Sequence, residues 1–310
     1  MSWKTLFVLF LFVALVMITL TMTACSSRNY QTNIHEITEP FSNLSIKTDT
    51  ANITFLPSSD GVYRVVCYEE ANKSHLVEVQ NGTLSVNLLD GKKWYDHIRI
   101  HVDSPKITVY LPEAEYLSLV IEESTGDVEI SENFRFKSID VSLSTGNVTC
   151  SASATDDIQI VTSTGDIYAE NISAGSLDLT VSTGMIAVSD VTCEEDVTIG
   201  VSTGKTFLSN IACKNLTTKG TTGDISLKNV FSANKLSIER STGDVSLESS
   251  DATELFIKTD TGNVKGSLLT DKIFITKTNT GRINVPSSIT GGRCEIFTNT
   301  GNIDITVSEG

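Results

Sequence analysis

Between Leu117 and Ile305, apolar side chains recur in fixed phase with a Thr-Gly step. The step occurs ten times, on Gly126, Gly146, Gly165, Gly184, Gly204, Gly223, Gly243, Gly262, Gly281 and Gly301, at spacings of 20, 19, 19, 20, 19, 20, 19, 19 and 20. A constant period of this length is the mark of a solenoid or array. Seven residues before each glycine the side chain is apolar, from Leu119 and Ile139 to Phe274 and Cys294. Five before, it is apolar in all copies but Thr218 and Thr276. Polar residues such as Ser142, Thr180, Glu239 and Lys258 lie between. This is the alternation of a half-buried strand.

The phase restarts after the glycine. Two residues on, every copy is β-branched, as at Val128, Ile167, Thr206 and Ile303, which suits a pleated surface. Four residues on, most copies are apolar again, and a weaker apolar column follows at Ile172, Val191, Ile211, Val230 and Leu269. Each repeat therefore predicts a strand, a corner, a short second strand and a looser return. The invariant Thr before glycine shares parity with the inward columns, so it is expected to face in at the corner. The Asp or Asn after seven of the glycines is expected for its tolerance of left-handed backbone. The prediction is an all-β fold, a parallel β-solenoid of about ten 19–20-residue coils with an irregular β N-terminal cap. Antiparallel hairpins are the alternative, since Ser-Thr-Gly-Asp also suits a hairpin turn. Ten coils at strand spacing give a rod roughly 45–50 Å long.

The rest of the chain divides by composition. Residues 1–24 carry Lys4 and an apolar run from Leu6 to Leu20, and small residues precede Cys25. This resembles a bacterial lipoprotein signal, which implies lipidation at Cys25 and a membrane partner through that lipid. An uncleaved anchor or an ordinary signal peptide are the other readings, and all three export the remainder of the chain. Residues 25–40 read as a polar tether ending at Pro40. Residues 41–116 are β-patterned but irregular, with strands expected over 62–68, 76–79, 84–88, 98–102 and 107–111. Thr48 to Phe55 echoes the repeat with Ala51 in place of glycine. This region is expected to cap residues 117–310, the repeats proper. Within it Lys92, Lys93, Trp94 and Tyr95 form a loop with both charge and aromatics, the candidate contact site.

Charge and cysteine content narrow the classes. The chain carries a formal charge of −15, and losing Lys4 with the leader makes it −15 − 1 = −16. Such acidity argues against nucleic acid as a partner. Five cysteines follow Cys25, an odd number that fits a disulfide framework poorly, so mostly free thiols are expected. No cofactor or metal is expected. His97 and His101 would stand roughly 13 Å apart on a strand, and no zinc quartet, phosphate loop or nucleophile elbow is present. The Asp/Asn column could suggest calcium, but Met185, Lys205 and Arg282 interrupt it. No catalytic constellation is evident.

The Ser-Thr-Gly-Asp/Asn-Val/Ile steps, as in Ser163 to Ile167 and Ser241 to Val245, resemble those of the putative adhesin family of bacterial β-strand-repeat domains. The likeness spans about residues 41–307 and implies an exported solenoid without known catalytic residues. The expected function is an exported, lipid-anchored, non-enzymatic adhesin-like scaffold that binds a protein or glycan. An envelope-stress or signalling accessory docking a membrane partner is the alternative. A carbohydrate-active β-helix using Glu122 or Asp127 is a third.

Overall fold

The structure, a computed structural model, describes residues 30–90 and 104–308. The strand expected over 98–102, the contact loop at Lys92, Lys93, Trp94 and Tyr95, the leader and Cys25 all lie outside the described residues. The repeats form a parallel β-solenoid. Equivalent positions stack from coil to coil: Leu119, Ile139, Ile158, Leu177, Val197, Leu216 and Leu236 are successive rungs of one ladder. Val148, Ile167, Ile186, Thr206, Ile225 and Val245 form another on the second sheet. Ile167, Ile186 and Ile225 are fully buried, so the two ladders enclose one continuous core. Antiparallel pairing among the described residues is confined to the N-terminal end.

The corner differs from its sequence reading in two respects. All ten threonines before glycine are exposed. The bend starts earlier, so the inward residue at the corner is three before glycine: Leu143, Thr162, Val181, Val201, Thr259 and Thr298 are all buried there. Where that residue is Thr, its hydroxyl donates to a glycine carbonyl of a neighbouring coil, as from Thr162 to Gly146 at 3.3 Å and Thr298 to Gly262 at 3.1 Å. The alternation breaks at the last two residues of each strand, where the serine before the threonine, as at Ser144, Ser163 and Ser182, is exposed too. The glycine itself is required twice over. At Gly146 φ is +143°, and an added β-carbon would lie 1.7 Å from the carbonyl oxygen of Gly126.

The Asp/Asn column does not adopt the left-handed region. Each side-chain oxygen instead accepts from the backbone N–H of the next coil: Asp127 from Asn147, Asn147 from Asp166 and Asp166 from Met185, at 2.7–2.8 Å. The left-handed residues form a different column, six after glycine: Asn171, Asp190, Asn210, Asn229 and Ser249, with φ between 47° and 57°. That kink shifts the strand's parity. It explains why the third apolar column falls seven residues after glycine and not six.

Both ends are reordered relative to the sequence. Leu255 pairs with Cys294, and Phe274 lies beyond Cys294, so the last coil is inserted between the eighth and ninth. In the inserted coil Cys294, Ile296, Ile303 and Ile305 face inward and are buried. The displaced one has Thr276 in the equivalent place of Ile296 and becomes the rim. There Ile273, Ile275 and Ile283 are 42–44 % exposed. At the other end strand Asn43–Thr50 pairs with both Glu115–Thr125 and Thr83–Asp90, so 43–57 is a regular coil lying between the first repeat and the strands Thr83–Asp90 and Lys106–Leu111. Over those strands the chain runs backwards. Strand Tyr63–Glu70 lies antiparallel on Lys106–Leu111, and Lys73–Gln80 on Thr83–Asp90. Tyr30–Ile37, read from sequence as tether, is a strand that completes the cap by pairing with Tyr63–Glu70.

Candidate functional site

The backbone and the corner side chains are used up in joining coils, so the surface available for function is what projects outward. The first such surface is the corner edge. Thr145, Thr164, Thr183, Thr203, Thr222, Thr242 and Thr261 occupy consecutive rungs and all are exposed. They set a rank of hydroxyls at the strand spacing of about 4.8 Å. Beside them the Asp/Asn rank has one oxygen per side chain committed to the next coil. Asp224 and Asp244 are accommodated as neighbours in this way, since Asp244 N–H donates to Asp224 at 3.1 Å. Lys205 stands 3.7 Å from Asp224, so the basic residue that interrupts the column neutralises one of its acids.

The second surface is a groove along the return side. Small residues line its base because the columns there carry Ala174, Cys193, Cys213, Ser232 and Ala252. Cys193 and Cys213 share this column, and all five cysteines of the described residues are buried free thiols. The groove widens near the C-terminal rim to a cleft of about 690 Å³ lined by Cys213, Phe231, Ala233, Asp251, Ala252, Lys272 and Gly292. Phe231 is 44 % exposed on its wall. Lys272 and Asp251 meet at 2.6 Å at one end, nearly fully buried. Asp251 also accepts from the backbone of Leu269 and Thr270, so its carboxylate is fully engaged. A smaller hollow of about 270 Å³ lies by Phe136, Ala154 and Ala174.

The third surface is an acidic hollow by the N-terminal cap, bounded by Lys47, Asp49, Glu122, Glu123 and Asp140. It holds the residues a glycan-cleaving site would need. Glu122 is exposed and paired with Lys47 at 2.7 Å. Asp127 is spent on Asn147. Glu123 is pushed up to about 8, mainly by burial and further by Asp127 and Asp49. Its Oε1 accepts from Ala51 N–H at 2.8 Å, and its Oε2 is buried without a partner. A carboxyl whose free oxygen meets no solvent stabilises a corner but offers no proton to a substrate. The carboxyl of Asp140, exposed on the same hollow, is also raised, by desolvation and by Glu122 and Asp157.

One group of side chains was not legible in the sequence. Cys67, Glu69 and His75 come together under the cap with their ligating atoms within 4.8 Å of one another. The sequence hint was the two-residue spacing of Cys67 and Glu69 on one strand face. That His75 meets them depends on the reversed cap, which no repeat pattern describes. No helix among the described residues is long and apolar enough to cross a membrane.

A rod of stacked parallel coils with polar outward ranks is the class of a β-solenoid scaffold. Within that class the chain belongs to the Toastrack DUF4097 family, whose pattern matches residues 41–201 and 194–310. Among solved structures, a putative adhesin from Parabacteroides distasonis is similar at 10% identity and a TM-score of 0.50, over 90% of this chain and 98% of that one. A putative lipid binding protein from the same species aligns at 14% identity and 0.49, again over 90% and 98%. A putative adhesin from Bacteroides fragilis aligns at 16% and 0.44 over the same shares. At such identities the likeness is one of fold. No curated protein matches the chain.

Proposed function

We propose that this protein is exported, anchored through a lipid on Cys25, and presents its solenoid as a non-enzymatic, adhesin-like scaffold for a protein or glycan. The observation that carries the reading is the exposed threonine rank. Its hydroxyls sit on consecutive rungs, while the glycines and Asp/Asn oxygens beside it serve only to join coils. A rank of this kind binds by repetition, many weak polar contacts adding along a rigid edge. The family's putative adhesins agree with this. The loop of Lys92, Lys93, Trp94 and Tyr95 is proposed as a second contact.

The test is binding of the purified chain to glycan arrays and immobilised extracellular proteins. The comparison is a variant lacking residues 176–214, which removes two coils and sets Leu216 in the place of Leu177 on Ile158. Binding should weaken several-fold as the edge shortens. Unchanged binding, or turnover of any glycan on the array, would overturn the scaffold reading. Metabolic labelling with an alkyne fatty acid, compared with Cys25→Ala, tests the anchor separately.

A further inference from the structure

We propose that Cys67, Glu69 and His75 form a structural site for one zinc ion, held by Cys67 Sγ, Glu69 Oε2 and His75 Nδ1, with the fourth position filled by water. Among the described residues this is the one cluster of three such groups, and all three are buried. Cys67 and Glu69 are two apart on strand Tyr63–Glu70 and share a face. A two-residue corner, Ala71 and Asn72, brings His75 back from strand Lys73–Gln80. Tetrahedral zinc at its usual bond lengths needs ligand atoms about 3.3–3.7 Å apart. The widest separation here, 4.8 Å, must close by roughly 1 Å, and the 2.6 Å contact of His75 Nδ1 with Glu69 Oε2 must open by less than that. Side-chain rotations of that size leave the backbone in place.

The groups behind the ligands are already arranged as a metal site requires. Asn33 Nδ2 donates to Glu69 Oε1 at 2.5 Å, which fixes the carboxylate and leaves Oε2 to His75, whose backbone N–H at 2.8 Å and ring Nδ1 at 2.6 Å both meet it. Thr48 Oγ1 lies 2.9 Å from His75 Nε2. With the metal on Nδ1, the proton sits on Nε2 and is donated to Thr48, the outer hydrogen bond that orients a ligating imidazole. Charge points the same way. A divalent ion with one thiolate, one carboxylate and one neutral imidazole is neutral overall, which a fully buried site demands. The mixed sulfur, nitrogen and oxygen set selects zinc over magnesium or calcium. Without metal Cys67 is a free thiol with its S–H proton in place. Zinc replaces the thiol proton, which leaves to solvent, and the Nδ1 proton of the neutral ring is exchanged for one on Nε2, so one H⁺ is released in all as the Zn–S and Zn–N bonds form.

The consequence is mechanical. Thr48 belongs to the regular coil Asn43–Thr50, so an ion at this point clamps the reversed cap to the rod. The test uses the full chain in detergent. Metal analysis after dialysis against metal-free buffer should return about one zinc per chain, lost in Cys67→Ser and in Glu69→Gln. Cobalt added to metal-stripped protein should give a thiolate-to-cobalt charge-transfer band and strong visible bands of tetrahedral cobalt. Both should vanish in Cys67→Ser and persist in Cys150→Ser. Circular dichroism retaining the β signal shows that each variant is folded. Zinc near zero in the wild type, a band that survives Cys67→Ser, or octahedral cobalt without a thiolate band would each overturn the site.

Discussion

The guanidinium of Arg240 passes through the space where Gly220 has no side chain. A β-carbon at Gly220 would lie 1.6 Å from Arg240 Nη1 and 1.9 Å from the carbonyl of Val201. Arg240 is 4 % exposed and sits in the inward corner column, three before Gly243. It reaches across one coil to donate to Val201 O at 2.7 Å and to Thr206 Oγ1 at 2.8 Å. Thr206, the polar member of the β-branched column, is therefore the partner of this arginine. Burial lowers the guanidinium to about 10, which still leaves it charged at neutral pH.

Gly220→Ala should consequently destabilise by about 3 kcal/mol, the cost of forcing an extra methyl into a packed interior. In an Arg240→Met background the cost should shrink, because one of the two clashes is gone. It should not vanish, because the Val201 carbonyl remains. A double-mutant cycle by chemical denaturation measures the coupling. Additive losses would show that Arg240 and Gly220 do not share this space.

The two residues of the Thr-Gly step should respond in opposite ways. Gly146→Ala meets both the positive φ and the Gly126 carbonyl, and should cost more than about 3 kcal/mol. Thr145→Ala removes an exposed side chain and should change stability by less than about 0.5 kcal/mol. Thermal melts of the two variants decide it. A large loss in Thr145→Ala would return the threonine rank to a structural role.

Asp166→Ala removes the acceptor of Met185 N–H. It should cost about 1 kcal/mol, the usual worth of one such hydrogen bond. Asp166→Asn keeps the carbonyl oxygen and should be close to wild type. Hydrogen exchange at the Met185 amide should speed up in the alanine variant alone.

Glu123 makes stability depend on pH. Its pKa rises from 4.5 to about 8 on folding, chiefly through burial. The folded state thus binds the proton more tightly than the unfolded chain. The contribution is fully present below about 4.5 and is lost as pH rises through about 8. Over that window the loss is at most on the order of 5 kcal/mol. Glu123→Gln should flatten the pH profile there and melt higher than wild type at pH 8.5. A profile unchanged by the substitution would mean that Glu123 is ionised in the folded state.

What the sequence determined by itself was the burial pattern that repeats from coil to coil. The period, the two inward columns before glycine and the β-branched column after it are read directly, because a stacked coil repeats the same burial at every rung. Cys193 and Cys213 were legible as a small-side-chain column for the same reason. Tertiary structure alone decided what depends on how coils meet. The threonines turn outward because the bend begins before them. The Asp/Asn oxygens serve the next coil's backbone, a bond invisible within one repeat. The stack changes order at both ends because coils of equal phase fit any neighbour; the coil that carries Thr276 lies at the rim, while Thr218 in the same column is fully buried in mid-stack. Cys67, Glu69 and His75 meet only because the chain reverses over the first coil, and no periodic pattern encodes a reversal that happens once.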